Sequence, residues 1–243
     1  MGKFFVPGSF ITGDIVKING SDAKHLTKVL RKNVNDDIIL CDGCGYDYTA
    51  VILSAEDDVS VKITGKQENR AEPKIHVTIY QALPKGDKME GIVKKCTELG
   101  VFSVVPFISS RVVVKADGAK LAQKVSKWQK TADESVKQCM RGAIPKIHPV
   151  ITFNEAAALA CKHKSAIMAY ELCEEGSLRG ALQHASAGDI GVVIGPEGGF
   201  EPEEAALARD SGINIVTLGK RILRVETAAA AVLSIIMYHF NEI

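Results

Sequence analysis

The spacing of hydrophobic positions changes once along the chain. Up to about residue 70 the apolar residues fall in short β-rich runs at 15–18, 37–41, 46–53 and 59–64, with Asp42-Gly43 and Asp57-Asp58 as turn signals. This pattern predicts a small β-barrel. A single helix interrupts it, starting near Ser21 as N-cap, with Leu26, Val29 and Leu30 on one face. Lys24, Lys28, Arg31 and Lys32 make up the other face, with no acidic residue between Ala23 and Asn35.

After the polar stretch 67–74 the period alternates. Continuous apolar runs at 75–82, 101–108, 166–170, 190–194 and 213–218 have the character of strands buried on both faces of a parallel sheet. Between them lie helical stripes. Met89, Ile92, Val93, Cys96 and Leu99 form one, closed by Gly100; Leu121, Val125, Trp128, Ala132 and Val136 form a longer one. The prediction is an α/β chain of two domains, 1–70 and 74–243, with a mostly parallel sheet in the second.

Composition narrows the class. Of 243 residues, 46% are hydrophobic and 24% charged, which fits a folded globular protein. The longest apolar stretch, 227–240, is shorter than the roughly 20 residues that span a bilayer, so a buried helix is expected there and no membrane partner. The first residues carry one lysine, a proline and no small-residue cleavage site, which argues against a secretory signal and for a cytoplasmic location. Six cysteines are dispersed, and only Cys41 and Cys44 form a C-x-x-C, so no metal is expected. A net charge of +1 conceals an asymmetry: residues 111–150 hold nine basic and three acidic groups, residues 151–243 seven and twelve.

Candidate chemistry sits in loops that follow strands, where open α/β sheets bind ligands. In Ile194-Gly195-Pro196-Glu197-Gly198-Gly199-Phe200, three glycines let the backbone turn tightly and approach a ligand closely. The Walker Lys-Ser/Thr is missing, and Glu197, Glu201, Glu203 and Glu204 crowd the helix start, so a neutral or cationic ligand is expected rather than a phosphate. A second loop, Leu218-Gly219-Lys220-Arg221-Ile222-Leu223-Arg224-Val225-Glu226-Thr227, sets three basic groups beside an apolar pair. Ala169-Tyr170-Glu171, at the end of its own strand, is a third candidate.

Together these two long motifs resemble the 16S rRNA (uracil-1498-N3)-methyltransferases of the SPOUT superfamily. The similarity extends to Gln81-Ala82-Leu83-Pro84-Lys85-Gly86-Asp87-Lys88-Met89-Glu90, to Thr97-Glu98-Leu99-Gly100-Val101, to Lys127-Trp128, and to Gln138 with Arg141. His25-Leu26, Val29-Leu30-Arg31 and Asp42-Gly43 carry it into the first seventy residues. The resemblance implies an N-terminal PUA-like barrel, a C-terminal α/β domain with a deep trefoil knot, S-adenosyl-L-methionine as methyl donor, a homodimer, and 16S rRNA or the small ribosomal subunit as partner. It places Ala169, Tyr170, Glu171, Ile194, Gly195, Pro196, Glu197, Gly198, Leu218, Gly219, Ile222, Leu223 and Thr227 around the donor. RNA contacts are expected from Lys3, Lys24, Lys28, Arg31, Lys32, Lys85 and Arg111.

The reaction needs a group that removes the uracil N3 proton, or cations that stabilise the imide anion. Glu226 and Arg224 are the candidates, and the residues alone leave both roles open. An RNA-binding assembly factor without a donor pocket, and a methyltransferase for another rRNA or tRNA nucleotide, are the alternatives. Lys3, Gly91, Ser110, Cys139 and Val225 depart from the family pattern; at Lys3 an arginine is usual, and a lysine gives up bidentate phosphate readout.

Overall fold

A computed structural model describes residues 3–6, 8, 11, 13–56, 58–112 and 118–243, and the fold below is that of these residues. Asp57, half of the second turn signal, lies outside them.

The chain forms two compact units, Met1–Glu72 with Val136–Ile144, and Pro73–Ser135 with Pro145–Ile243. The sequence pattern gives one crossing near residue 70; the structure adds a return, because residues 136–144 group with the first unit. Lys3 accounts for part of this return. Its ammonium donates to the carbonyls of Met140 and Arg141 at 3.1 and 2.8 Å and lies 2.8 Å from Asp47 Oδ1.

The first unit is a curled five-stranded sheet in the order β1 (Lys3–Phe5), β3 (Asp37–Cys41), β4 (Tyr46–Ala55), β5 (Val59–Glu68), β2 (Ile15–Ile18). All pairings are antiparallel except β1 with β3. Alternation along β2 and β3 turns Val16, Ile18, Ile38 and Leu40 into one core with Leu26 and Ile52. Asp42-Gly43 turns the chain between β3 and β4: the Asp42 carboxylate accepts from the Cys44 and Tyr46 N–H groups, and Gly43 has φ +73°.

The helix of this unit begins one residue before Ser21. Asn19 is the N-cap, and α1 (Gly20–Lys24) runs into a π-helical turn over His25–Val29. Arg31 then takes φ +51°, and the Lys32 N–H closes back on the Leu26 carbonyl. So Lys24 and Lys28 share a helical face, whereas Arg31 and Lys32 lie past its end.

The second unit is a parallel sheet in the order β12 (Asn214–Val216), β10 (Ser165–Ala169), β11 (Asp189–Ile194), β6 (His76–Ala82), β7 (Ser103–Ile108), β8 (Lys146–Ile147), with β9 (Ile151–Thr152) also on β7. On one face pack α2 (Lys88–Glu98), α3 (Gly118–Cys139), α5 (Leu178–Gln183) and α7 (Val225–His239), around Ile79, Ile92, Val192 and Leu233. α4 (Phe153–Ala160) and α6 (Pro202–Asp210) cover the other, around Phe107, Met168, Val193 and Phe200. The apolar runs are continuous because both faces of each strand are buried. Gly100, at φ +89°, ends α2; a side chain there would also meet the Pro73 ring at 2.6 Å.

Candidate active site

Strand register sets up the site. Ala169 at the end of β10 aligns with Ile194 on one side and with Val216 on the other, so three loops leave the sheet along one line at its carboxyl edge. They enclose a cleft of about 880 Å³, in the size range of ligand pockets. From the first loop come Ala169, Tyr170 and Glu171; from the second, Ile194, Gly195, Pro196, Glu197 and Gly198; from the third, Leu218, Gly219, Ile222, Leu223 and Arg224. All were singled out by sequence.

Two expected members are not part of the lining. α7 starts at Val225, and helical rotation then presents Val225 and Ala228 to the cleft while Glu226 and Thr227 turn away. The Thr227 N–H bonds to the Arg224 carbonyl, and one Glu226 carboxylate oxygen is buried without a hydrogen-bond partner among the described residues. Conversely, Lys88, Cys173, Glu174, Gly199, Thr217, Lys220 and Arg221 line the cleft without having been assigned to it. Lys88 could have been found, since it belongs to the Lys85–Glu90 motif; Cys173 and Glu174 follow Glu171 in a loop whose sequence carries no distinctive signal.

The glycines of the second loop serve its own packing. A Cβ on Gly195 would sit 2.9 Å from the Phe200 ring, which is fully buried and packs on Phe107 and Phe153 with centroids 6.4 and 5.7 Å away. The absent side chain at Gly195 makes room for an aromatic core residue, not for a ligand. Gly199, at φ +71°, bears the Glu171 carboxylate directly on its Cα. Gly219 differs: its φ is +106°, and a Cβ there would meet nothing within 4 Å.

Three of the four carboxylates crowding this loop, Glu197, Glu201 and Glu204, are paired. Glu197 accepts from the Lys85 N–H at 3.1 Å and from the Lys88 ammonium. Partial burial pushes its carboxyl upward, but the bonds from Lys88 and the Lys85 backbone outweigh that and hold it below the usual carboxylate range. Glu201 takes two bonds from Arg111, which also lower its carboxyl, and buried Glu204 accepts from Ser110 N–H and Oγ–H. The third loop shows the opposite state. Lys220, Arg221 and Arg224 are exposed and carry no ion pair or side-chain hydrogen bond among the described residues, and Ile222 is 88% exposed.

The expected RNA-contacting cations divide as well. Lys24, Lys28, Arg31 and Lys85 are exposed, with no ion pair among the described residues. The Lys32 ammonium donates to the Asp37 carbonyl. Lys3 is withdrawn from solvent, with a side chain 1% accessible and bound to Asp47, so its charge is used inside the first unit. Arg111 is engaged by Glu201 and the Gly198 carbonyl. Cys41 is buried with its thiol pushed up to about 11 by desolvation, while Cys44 is exposed; both are free.

Comparison with known proteins gives the class, an RNA-modifying enzyme. A family profile described as an RNA methyltransferase domain matches residues 70–237, and one described as an RNA methyltransferase PUA domain matches residues 18–64. The ribosomal RNA small subunit methyltransferase E of Bacillus subtilis is 37% identical over 232 residues, 91% of this chain and 89% of that protein. The enzyme of the same description from Aquifex aeolicus is 30% identical over 181 residues, covering 74% and 76%. A crystal structure of the Neisseria gonorrhoeae ribosomal RNA small subunit methyltransferase E bound to S-adenosyl methionine matches with a TM-score of 0.82 at 31% identity, over 98% of this chain and 97% of that one. The chain belongs to this family of ribosomal RNA small subunit methyltransferases.

Proposed function

We propose that this protein transfers a methyl group from S-adenosyl-L-methionine to N3 of U1498 in 16S rRNA, as a cytoplasmic homodimer. The observation that carries the reading is the cleft: three strand-end loops in register, with Arg224 free at its edge. The donor-bound relative from Neisseria gonorrhoeae supports the same ligand here. So does the chemistry of the lining. A sulfonium donor has a cationic centre and no phosphate, and the cleft offers the Glu171 and Glu174 carboxylates, the backbone of Gly195–Gly198 and Leu218–Leu223, and apolar walls from Ile194, Leu223 and Val225. Gly219 leaves open the space that a side chain would fill.

The bound donor supplies an electrophilic methyl group; this chain's residues orient the uridine and stabilise the anion it becomes. N3 must lose its hydrogen as the N–CH3 bond forms and the C–S bond breaks. Glu226, in the first turn of α7, turns away from the cleft, so the proton leaves to solvent water at the open edge of the site rather than to its carboxylate. Arg224, the N-cap residue of the same helix, places its guanidinium against the charge that develops on the imide oxygens. Holding the two reactants in line supplies several kcal/mol of the barrier reduction. N3 lies on the pairing edge of uracil, so the target nucleotide is unpaired or turned out of its helix. Lys24, Lys28, Arg31, Lys32 and Lys85 hold the flanking phosphates.

The reading is tested by mass spectrometry of 16S rRNA from cells lacking the protein. The fragment containing U1498 should be one methyl group lighter, and expression of the wild type, but not of Arg224→Ala, should restore it. A fragment methylated equally with and without the protein would refute the assignment. The exposed Ile235 and Tyr238 of α7 support the homodimer, which light scattering would register as twice 26.1 kDa; a monomer would refute it.

A further inference from the structure

The loop after β7 reaches the donor loop through one side chain. Arg111 Nη1 donates to the Gly198 carbonyl at 2.6 Å, while Nε and Nη2 donate to the two Glu201 carboxylate oxygens at 2.8 and 2.9 Å. Its aliphatic stem lies against the Gly198 Cα, where a Cβ would meet Arg111 Cβ and Cδ at 3.5 Å. The anchor on the far side is itself fixed, because the Glu201 N–H bonds to Glu204, and Glu204 is 6% exposed and also holds Ser110. Gly198 lines the cleft, and the next residue is held by a Gly199 N–H bond to the Pro196 carbonyl. An exposed ion pair adds little to global stability. A grip on the backbone of a ligand loop acts differently, since small displacements of positioning groups have large effects on binding and rate.

We infer that Arg111 is a positioning residue of the donor loop, which holds the backbone at Gly198 in its ligand-ready form through Glu201, and is not a contact to RNA. This rests on the proposed donor site. The planar fork is essential to the role: a guanidinium holds both carboxylate oxygens and the carbonyl at once, and an ammonium does not.

The test uses the full chain, with S-adenosyl-L-methionine binding measured by calorimetry and binding of a 16S rRNA fragment measured across salt concentrations. Arg111→Gln should weaken donor binding about tenfold and raise the donor KM, with kcat at saturating donor within about twofold and the RNA affinity and salt slope unchanged. Arg111→Lys should recover only part of the donor affinity. Glu201→Gln should weaken donor binding to a similar degree, and the double variant should be no worse than Arg111→Gln alone, as partners in one interaction require. The idea is overturned if Arg111→Gln lowers RNA affinity and the salt slope while sparing the donor, if Glu201→Gln raises RNA affinity by releasing the guanidinium, or if the two substitutions add. Amide exchange at Gly199 needs no ligand and separates this claim from the donor assignment. Faster exchange in folded Arg111→Gln supports the brace even if the wild type binds no S-adenosyl-L-methionine, and unchanged exchange refutes it.

Discussion

The two glycine loops of the cleft are built on opposite plans. In the loop between β11 and α6 and in the first turn of that helix, Glu197, Glu201 and Glu204 each have a partner on the loop after β6 or β7, and Phe200 anchors the loop's end in an aromatic cluster. In the loop between β12 and α7, three cations lack such partners among the described residues, Ile222 faces solvent, and Gly219 has open space where a side chain would go. One wall is fixed before any ligand arrives; the other keeps its charges available. This division suits a transferase with two substrates. On the proposed reading, a rigid wall would hold the donor without ordering cost on binding, and unneutralised cations would meet the polyanion that brings the acceptor.

The fixed loop depends most on Phe200 as its anchor. Phe200→Ala should cost about 3–5 kcal/mol in urea unfolding, the range for a buried phenylalanine, and donor binding should fall with it. A cost below about 1 kcal/mol would mean that the loop is held by its surface pairs alone. For the open loop the expectation reverses. Arg224→Ala should leave the unfolding free energy and donor affinity near wild type while lowering the single-turnover methylation rate about a hundredfold, or ~2.7 kcal/mol in the barrier. If Arg224→Ala loses donor binding or unfolds, the third loop is structural and the contrast disappears.

A smaller effect is expected from the free cations of the first unit. Neutralising Lys24 and Lys28 should weaken RNA binding with donor binding untouched. The slope of log affinity against log salt should fall by about 0.7 for each single-strand phosphate that the variant no longer neutralises. An unchanged slope would remove Lys24 and Lys28 from the phosphate contacts. The smallest effect concerns pH. The Glu197 carboxyl is held below its ordinary range, so its contribution is complete above the unfolded carboxylate pKa and is lost as pH falls through the lower folded value. Donor affinity should therefore hold from neutrality into mild acid and decline only below the usual carboxylate range, and Glu197→Gln should flatten part of that decline. A Glu197→Gln profile identical to wild type would show that the Lys88 pair contributes nothing.

Five strands of the second unit and its three long helices were legible in the sequence because each buries both faces or one regular stripe, and burial imprints a period on the residues. β1, β8 and β9 were not, being two or three residues long and below the length at which alternation can be read. α4 and α5 escaped for a similar reason, with eight and six residues. The three cleft loops were found through their glycines, charges and place after apolar runs, and the family resemblance tied them together.

What the residues alone determined was thus the class of fold, the loops that line the cleft and the family. Tertiary structure decided how the residues of those loops are used. The glycine at 195 is spent on Phe200, Lys3 and Arg111 are cations committed to carboxylates of the protein itself, and Glu226 and Thr227 turn away from the cleft their neighbours line. Residues 136–144 return to the first unit although nothing in their spacing announces it. The reason is physical: periodicity records whether a position is buried, a local property written along the chain, whereas the partner of a charge and the direction of a side chain depend on groups up to 138 residues away that only folding brings together.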